Sequence, residues 1–226
     1  MPGVTSNSDM TPADRLLDAW SHCPIVAIYR GAEPFDAAAL CGALFAGGLR
    51  TVEITMNTPG ACEAIRAVRA SLSDDGSEMI GAGTVLTVDD AGRAVSAGAQ
   101  FLVAPTVDEA VIGWAVDAGV PILPGAFTPT EAWRAQRLGA AAVKLFPANA
   151  LGPTYLREVL APLSELRLVA TGNLGLNEVP AYLAAGAAAV GVGPTLIDPE
   201  AVSRQDWPAL TRLAERWMAD ARAARG

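Results

Sequence analysis

The sequence contains very little histidine and cysteine. In 226 residues there is one histidine, His22, and there are three cysteines, Cys23, Cys41 and Cys62. These cysteines show no metal-ligand spacing, and a zinc site is hard to build from them with a single histidine. We therefore expect no metal and no other cofactor. The odd number of cysteines and the absence of a signal-like start predict a cytoplasmic protein.

Positive charge and long apolar runs are also scarce. The net charge is −8, so the chain lacks the basic stripe that neutralises phosphates, and a nucleic-acid partner is not expected. No apolar run approaches the roughly 18 residues of a membrane-spanning helix, so no membrane partner is expected either. The hydrophobic fraction of 51% is ample for the core of one larger domain.

Lysine occurs once. Lys144 is the only lysine, and every other cationic side chain is an arginine. Arginine stays charged, whereas a desolvated lysine can lose its proton and act as a nucleophile. Lys144 lies in an apolar segment, Ala140–Pro147, that reads as a buried strand. The segment alone allows two interpretations: a Schiff-base lysine, or a side chain that extends from a strand end to solvent.

Apolar strands and amphipathic helices alternate along the chain after a first helix. This pattern predicts a parallel sheet covered by helices, and eight units predict a TIM (β/α)8 barrel with an extra N-terminal helix over residues 11–226. Residues 1–10 are polar and are expected to be flexible. The alternative is a doubly wound open sheet, although no Gly-x-Gly-x-x-Gly follows the first strand. The predicted strands are Pro24–Tyr29, Thr51–Thr55, Met79–Gly83, Phe101–Ala104, Pro121–Leu123, Ala140–Pro147, Leu168–Ala170 and Ala188–Val192.

Nine helices are predicted in the same pass, several of them ending at an Ala-Gly pair. Thr11 and Pro12 are suited to the start of the first helix as its N-cap and its first residue. The predicted helices are Pro12–Ser21, Phe35–Ala46, Pro59–Ser71, Val88–Ala97, Asp108–Ala118, Pro129–Leu138, Tyr155–Leu163, Asn177–Ala185 and Trp207–Arg225.

A second charged residue interrupts a predicted strand. Glu53 lies between Val52 and Ile54, and a carboxylate inside a barrel strand is costly unless it is paired. Because side chains alternate along a strand, either Glu53 or its two neighbours face the barrel interior. An outward Glu53 would meet the helix layer, which is also apolar. A Glu53 that faces Lys144 would explain both residues, and burial would raise its pKa for work as a general acid and base.

This pair indicates lysine-dependent chemistry. The amine attacks a ketone, the resulting imine accepts electrons, a nearby C–C bond breaks, and the enamine is then protonated. The pattern therefore predicts a metal-independent aldolase or decarboxylase. Active groups of a barrel lie at the carboxyl ends of its strands, where several other polar or small residues occur. These are Arg30, Asn57, Thr84, Pro105, Thr171, Gly172, Asn173 and Gly193.

Anion binding is predicted at four of these strand ends. Thr84 follows small residues that let a ligand approach the backbone, and Arg30 can bind a carboxylate or phosphate with two hydrogen bonds. An ordinary tight turn and a surface salt bridge remain the alternatives for these two residues. The glycines after the seventh and eighth strands occupy the usual phosphate position of barrels, but only single glycines are present there and Pro194 has no N–H.

The chain resembles the trimeric class I aldolases that cleave 2-keto-3-deoxy-6-phospho sugar acids to pyruvate and glyceraldehyde 3-phosphate. The resemblance implies that Lys144 forms the Schiff base and that Glu53 is the acid/base. It implies that Thr84 holds the pyruvyl carboxylate and that Pro105 and Phe146 pack against the pyruvyl group. It also implies a homotrimer. The matching stretches are Pro24–Gly31, Val52–Pro59, Ile80–Leu86, Phe101–Pro105, Pro124–Gly125 and Val143–Pro147.

Within this family, Arg30 and Asn57 resemble the phosphogalactonate branch, because the phosphogluconate branch has arginine in place of Asn57. Two residues depart from the family pattern: Asn173 stands where glycine is usual, and Pro194 where serine is usual. Both positions contact phosphate in the family. The substrate is therefore expected to be a 2-keto-3-deoxy sugar acid with or without a 6-phosphate. The alternatives are an enzyme of another 2-keto acid, such as an oxaloacetate decarboxylase, a non-catalytic barrel, or a phosphosugar isomerase.

Overall fold

The strands form one parallel sheet that closes on itself. The computed structural model describes residues 10–33, 35–73 and 76–224. Within these residues the strands follow the order β5-β4-β3-β2-β1-β9-β8-β7-β6. The strands are β1 (Ile25–Tyr29), β2 (Thr51–Thr55), β3 (Met79–Gly83), β4 (Leu102–Val103), β5 (Ile122–Leu123), β6 (Gly125–Ala126), β7 (Val143–Leu145), β8 (Leu168–Thr171) and β9 (Ala189–Val192).

The closure occurs at Pro124, the one residue between β5 and β6. On one side the Leu123 carbonyl accepts a hydrogen bond from the Ala104 N–H, and on the other the Pro124 carbonyl accepts one from the Lys144 N–H. Because proline has no N–H for a sheet ladder, the predicted fifth strand ends before it as β5, and the short strand β6 that follows was not predicted. The predicted (β/α)8 barrel is thus confirmed, with nine strand segments, and the alternative of an open sheet is wrong.

Helices follow the strands as predicted, with differences at some boundaries. The sixth helix between strands begins at Gly152 and ends at Leu160, earlier than predicted, because Pro153 is well suited to a first helical turn. The helices are α1 (Pro12–His22), α2 (Ala37–Ala46), α3 (Ala61–Ser71), α4 (Val88–Ser96), α5 (Glu109–Asp117), α6 (Pro129–Arg137), α7 (Gly152–Leu160), α8 (Val179–Ala184), α9 (Pro199–Ser203) and α10 (Trp207–Ala223).

Besides β6, two short elements were not predicted, α9 and the 3-10 turn Ala148–Ala150. The predicted helix Asn177–Ala185 also begins as a second 3-10 turn, Leu176–Glu178. Each contains five residues or fewer, which is too short for a hydrophobic period to be visible in the sequence. The helix α9 matters for function because it lies beside the cavity described below.

The N-terminal helix α1 fills the barrel at the beginnings of the strands. Thr11 and Asp14 form a capping box that starts the helix, as expected for Thr before Pro12. Buried Leu16 and Trp20 then pack with inward-facing apolar residues of the strands. The indole N–H of Trp20 donates a hydrogen bond to the Thr51 hydroxyl at 3.3 Å. This packing leaves the opposite, carboxyl end of the barrel for a ligand.

Alternation along β2 and β7 determines which residues face the interior. Val52 and Ile54 belong to the core between the sheet and the helices, so Glu53 faces the barrel interior. Ala142 belongs to the inner cluster, and Lys144, two residues later, faces the same way. The structure therefore places both charged side chains inside the barrel.

The ends of the chain and its relation to membranes complete the description. Of the predicted flexible N-terminus, residues 1–10, only Met10 lies among the described residues. No helix in the described parts of the chain combines the length and the apolarity needed to cross a bilayer.

Candidate active site

A cavity of about 980 Å³ opens at the carboxyl ends of the strands. Its walls come from the ends of β1, β2, β7 and β8 and from the loops that follow them. All but one of the residues proposed from the sequence as catalytic or substrate-binding line this cavity. The ten that line it are Arg30, Glu53, Thr84, Pro105, Lys144, Phe146, Thr171, Gly172, Asn173 and Gly193.

The exception is Asn57. Its neighbours Met56 and Thr58 line a separate groove of about 720 Å³ between α3 and α4. Asn57 lies in a tight turn after β2, in which the Thr58 N–H donates a hydrogen bond to the Thr55 carbonyl at 2.8 Å. Asn57 is exposed on this turn and is not among the residues that line the cavity, so its substrate contact stays a prediction.

Lys144 is held in the middle of β7. Its backbone N–H donates to the Pro124 carbonyl at 2.9 Å, while its neighbours Val143 and Leu145 pack outward under the helices. The lysine is only 8% exposed, so the interpretation that it extends to solvent is wrong. Its Nζ lies 4.9 Å from the centre of the Phe146 ring. A single amine thus lies at the inner end of the cavity.

Glu53 lies in the same cavity and is 2% exposed. Burial raises the pKa of the Glu53 carboxyl group, because the charged form loses water. The positive charges of Lys144 and Arg30 act in the opposite direction and limit this rise in pKa. A carboxyl group with a raised pKa exchanges protons closer to neutral pH, as a general acid and base requires.

The raised pKa predicts how Glu53 affects stability. Between its ordinary value of 4.5 and its higher folded value, the folded protein binds more protons than the unfolded chain, so stability falls as pH rises through that window. Relative to Glu53→Gln, the free energy of unfolding of the wild type is expected to fall by about 1.4 kcal/mol per pKa unit of the rise. Urea unfolding of both proteins, from about pH 4 to about pH 8, measures this difference in the pH dependence of stability. Parallel pH profiles would contradict it.

Gly83 provides the space that the Glu53 carboxyl group occupies. A Cβ built at Gly83 would overlap the Glu53 carboxyl oxygen and carbon. Glu53 and Gly83 are held in place by strand pairing, since Thr55, two residues after Glu53 on β2, is in register with Gly83 on β3. The glycine at this strand end is therefore required by a neighbouring side chain rather than by an unusual backbone conformation.

Gly83→Ala is expected to lower kcat by about 10²-fold or more, because it forces the carboxyl group of Glu53 out of position. Steady-state kinetics measures the loss, and circular dichroism reports whether the barrel is retained. Gly42→Ala is the matched control: Gly42 is exposed in α2 and its Cβ meets no described atom within 4 Å, so it should leave kcat unchanged and stabilise the helix by up to about 1 kcal/mol. An active Gly83→Ala variant would contradict the required position of Glu53.

Arg30 and Thr84 form a polar pair at the mouth of β1 and β3. The Arg30 Nη2 donates to the Thr84 hydroxyl oxygen at 3.2 Å. Thr84 has a φ of +55°, a left-handed conformation that costs a β-branched residue of order 1–3 kcal/mol. Such strain is typical of functional sites. A guanidinium group beside a hydroxyl group is suited to binding a carboxylate.

The cavity also extends to residues that the sequence did not identify. The end of β1 contributes Tyr29, the β1–α2 loop contributes Phe35, and the segment from β9 to the start of α10 contributes Ile197, Val202 and Trp207. One signal was present, since Asp198 followed by Pro199 is a typical helix start, and α9 does begin there. The helix α9 and Phe35 line the same cavity, and this placement depends on tertiary packing that no local sequence pattern encodes.

Together, the barrel and this site define a class of protein. A closed (β/α)8 barrel that buries one lysine and one carboxyl group in a cavity at the carboxyl ends of its strands has the arrangement of a lysine-dependent aldolase.

Comparison with known proteins gives the family. The family model described as "Aldolase: KDPG and KHG aldolase" matches residues 18–213, so the chain belongs to the KDPG and KHG aldolase family. It is an enzyme of the lyase class, as the sequence predicted, and the family resemblance is confirmed.

The relatives include both the phosphogluconate and the phosphogalactonate branch. A 2-dehydro-3-deoxy-phosphogluconate aldolase of Treponema pallidum is 38% identical over 80% of this chain and 85% of its own length. A probable 2-dehydro-3-deoxy-6-phosphogalactonate aldolase of Rhizobium meliloti is 37% identical over 78% of this chain and 82% of its own. These two identities are too similar to assign a branch.

A solved structure is similar over nearly the whole chain. It is the KDPG aldolase of Legionella pneumophila with pyruvate captured at low pH as a covalent carbinolamine intermediate. The TM-score is 0.81 at 28% identity, covering 91% of this chain and 97% of the other.

Proposed function

We propose that the protein is a class I aldolase that cleaves a 2-keto-3-deoxy sugar acid, with or without a 6-phosphate, to pyruvate and an aldehyde such as glyceraldehyde 3-phosphate. The observation that carries the proposal is the burial of Lys144 and Glu53 in one cavity. The names of the relatives, which are phosphogluconate and phosphogalactonate aldolases, support the choice of substrate.

The first step joins Lys144 to the substrate. The unprotonated Nζ attacks the keto carbon C2, and the resulting carbinolamine loses its hydroxyl group as water to give an imine. Glu53, in its protonated form, supplies the proton that makes the hydroxyl a leaving group. Arg30 and Thr84 bind the C1 carboxylate, and Pro105 and Phe146 pack against the three-carbon unit.

The second step breaks the bond between C3 and C4. Glu53, now a carboxylate, removes the proton of the C4 hydroxyl group. The C4–O bond becomes a carbonyl, and the electron pair of the C3–C4 bond moves into the imine, which becomes an enamine. The aldehyde leaves. Glu53 returns the proton to C3, and water hydrolyses the imine to release pyruvate and the free amine.

One carboxyl group is sufficient for these transfers because each proton that it accepts is returned in a later step. The raised pKa of Glu53 is suited to this double role, since both protonation states must be accessible. The lysine supplies the electron sink, so the reaction as written uses only groups of this chain.

Pyruvate release tests this function. The purified protein is mixed with 2-keto-3-deoxygluconate, 2-keto-3-deoxygalactonate and the 6-phosphate of each, and pyruvate is measured with lactate dehydrogenase and NADH. We expect release from at least one sugar acid, with a matching amount of aldehyde. If none of the four yields pyruvate, the proposed function is wrong.

We also propose that the enzyme is a cytoplasmic homotrimer. Three large apolar side chains around the neighbouring helices α5 and α6 support an interface: Val116, Phe127 and Trp133 are 44%, 43% and 37% exposed. Isolated exposed apolar residues are common, but several on adjacent elements mark an interaction surface. Sedimentation equilibrium should return three times the chain mass, and a monomer at micromolar concentration would exclude the trimer.

A further inference from the structure

Asn149 lines the active-site cavity and has no role in the reaction as written above. It lies in the 3-10 turn Ala148–Ala150, shortly after Lys144 on the connection between β7 and α7. Its side-chain amide has no hydrogen-bond partner within residues 10–33, 35–73 and 76–224. An amide group has an oxygen that accepts hydrogen bonds and two N–H groups that donate them. Asn149 can therefore bind oxygen atoms of a substrate.

The turn that carries Asn149 packs tightly on the end of β8. A Cβ built at Gly172 would lie 2.7 Å from the Asn149 Oδ1 and 3.2 Å from the backbone nitrogen of Ala148. A larger residue at this position would displace the turn, because a glycine is what permits such a close approach. Gly172 lines the same cavity, so the packing places the Asn149 amide beside the end of β8.

A buried tyrosine holds this turn from behind. Tyr182 of α8 is 1% exposed, and its hydroxyl group donates to the Ala148 carbonyl at 2.7 Å. The same carbonyl accepts the Leu151 N–H at 2.9 Å within the turn. Tyr182 is not among the residues that line the cavity, so it can affect a ligand only through the turn that it holds. Its hydrogen bond ties that turn to the helix that follows β8.

The loop after β8 is held in place as well. The Thr195 hydroxyl donates to the Leu174 carbonyl at 2.7 Å, which joins the segment after β9 to the loop after β8. Leu174 is itself buried. Polar groups that are fixed before a ligand arrives lose little conformational entropy on binding. The hydrogen bonds of Tyr182 and Thr195 therefore preorganise the connections after β7 and β8 as a binding surface.

The strand order indicates which half of the substrate this surface meets. Thr84, which follows β3, binds the C1 carboxylate together with Arg30 in the proposed reaction. Three strands separate β3 from β8 on one side of the barrel, and four separate them on the other, so their ends lie across the cavity from each other. A keto acid that is joined to Lys144 through C2, with C1 at Thr84, extends its later carbons toward β7 and β8. Asn149 lies at that end.

We propose that the Asn149 amide hydrogen-bonds an oxygen atom of the aldehyde half of the substrate, and that Tyr182 is the positioning residue for Asn149. The oxygen atom belongs to a hydroxyl group or to the phosphate, because an amide binds both. This inference rests on the proposed aldolase function, since that reaction defines the aldehyde half. It makes Asn149 a residue that selects polar aldehydes over apolar ones.

Condensation of pyruvate with three aldehydes tests the role of Asn149. The aldehydes are glyceraldehyde 3-phosphate, glyceraldehyde and propanal, which share a three-carbon chain and differ in their oxygen atoms. Asn149→Ala is expected to lower kcat/KM for glyceraldehyde 3-phosphate by about 10-fold relative to propanal, because one hydrogen bond is lost. An equal loss for glyceraldehyde identifies a hydroxyl group as the partner, and a loss for the phosphorylated aldehyde alone identifies the phosphate.

Asn177→Ala is the matched control for this variant. Asn177 is exposed in the turn Leu176–Glu178 and is not among the residues that line the cavity. Its substitution should leave kcat/KM unchanged for all three aldehydes. If Asn149→Ala alters the three values equally, or alters none of them, Asn149 does not bind the aldehyde half and the inference is overturned.

Tyr182→Phe tests the positioning role, because it removes only the hydroxyl group. We expect KM for glyceraldehyde 3-phosphate to rise by about 5-fold, while the pyruvate concentration that half-saturates borohydride trapping stays the same. Tyr155→Phe is the matched control. The Tyr155 hydroxyl also donates to a backbone carbonyl, that of Phe127 at 2.9 Å, but neither residue lines the cavity. Tyr155→Phe should change neither quantity.

The double variant separates positioning from a general structural role. If Tyr182 acts through Asn149, adding Tyr182→Phe to Asn149→Ala should raise KM for glyceraldehyde 3-phosphate no further, because the two residues belong to one network. Circular dichroism should show the same fold in each variant. Independent losses that multiply in the double variant would overturn the positioning role of Tyr182.

Borohydride reduction with pyruvate alone separates this inference from the proposed function, because it does not involve the aldehyde half. If the wild type traps pyruvate and Asn149→Ala does not discriminate among the aldehydes, only the inference about Asn149 fails. If the wild type does not trap pyruvate, the aldolase function fails, and the inference fails with it.

Discussion

Lys144→Arg is expected to lower kcat for pyruvate release by roughly 10⁶-fold, the scale of removing a covalent nucleophile. The guanidinium group does not lose its proton in proteins and forms no imine with a ketone. The positive charge beside Glu53 is retained in this variant. A loss of activity would therefore report the missing amine and not a missing charge. Steady-state assay of pyruvate release, with a detection limit low enough to cover this range, measures the effect.

The fold of the Lys144→Arg variant is the necessary control. Lys144 is buried, and arginine is larger, so circular dichroism and the unfolding midpoint should be recorded with the kinetics. Addition of pyruvate and borohydride gives a second readout, since the variant should acquire no adduct while it remains folded. Activity within 10-fold of the wild type in a folded Lys144→Arg protein would refute the assignment.

Glu53→Gln is expected to reduce kcat by about 10²–10⁴-fold, the usual contribution of a general acid or base. Glutamine has nearly the same shape as glutamate but does not carry the proton between substrate oxygen and carbon. Imine formation, C–C cleavage and enamine protonation would all be slowed. The bell-shaped pH dependence of kcat/KM should lose the limb that reports the raised pKa of Glu53.

Glu63→Gln is the matched control for this variant. Glu63 is exposed in α3 and lines the separate groove, so its substitution should leave kcat and its pH dependence unchanged. Because burial raises the pKa of Glu53, Glu53→Gln should be no less stable than the wild type near neutral pH. If the variant loses activity only because it unfolds, Glu53 has a structural role and the proposed proton transfers are wrong.

The fold and the inward direction of the two charged residues could be read from local sequence. Each lies between two apolar residues, in Val52-Glu53-Ile54 and Val143-Lys144-Leu145, and strand alternation leaves two possibilities for each. A barrel packs helices on the outer face, so the branched neighbours are suited to that face. The structure agrees, because Val52 and Leu145 pack in the outer core.

Other features depend on contacts between distant parts of the chain. Phe35 and Trp207 line the same cavity, although they are far apart in the sequence and neither segment has a motif that predicts this. The predicted contact of Asn57 rested on its position after the second strand and on the family resemblance, and neither shows the local turn after Thr55 in which this residue lies. The end of the fifth strand before Pro124 was visible in the sequence, but the short strand β6 after it and the closure of the barrel depend on pairing with both neighbouring strands.

The most direct test of the lysine mechanism is reduction with borohydride in the presence of pyruvate, followed by peptide mapping. Lys144 is the only lysine in the chain, so it provides the only ε-amine. We predict a reduced pyruvyl group on the peptide that contains Lys144, and none when pyruvate or borohydride is omitted. An unmodified Lys144 peptide, or a pyruvyl group found only on the N-terminal amine, would contradict the account.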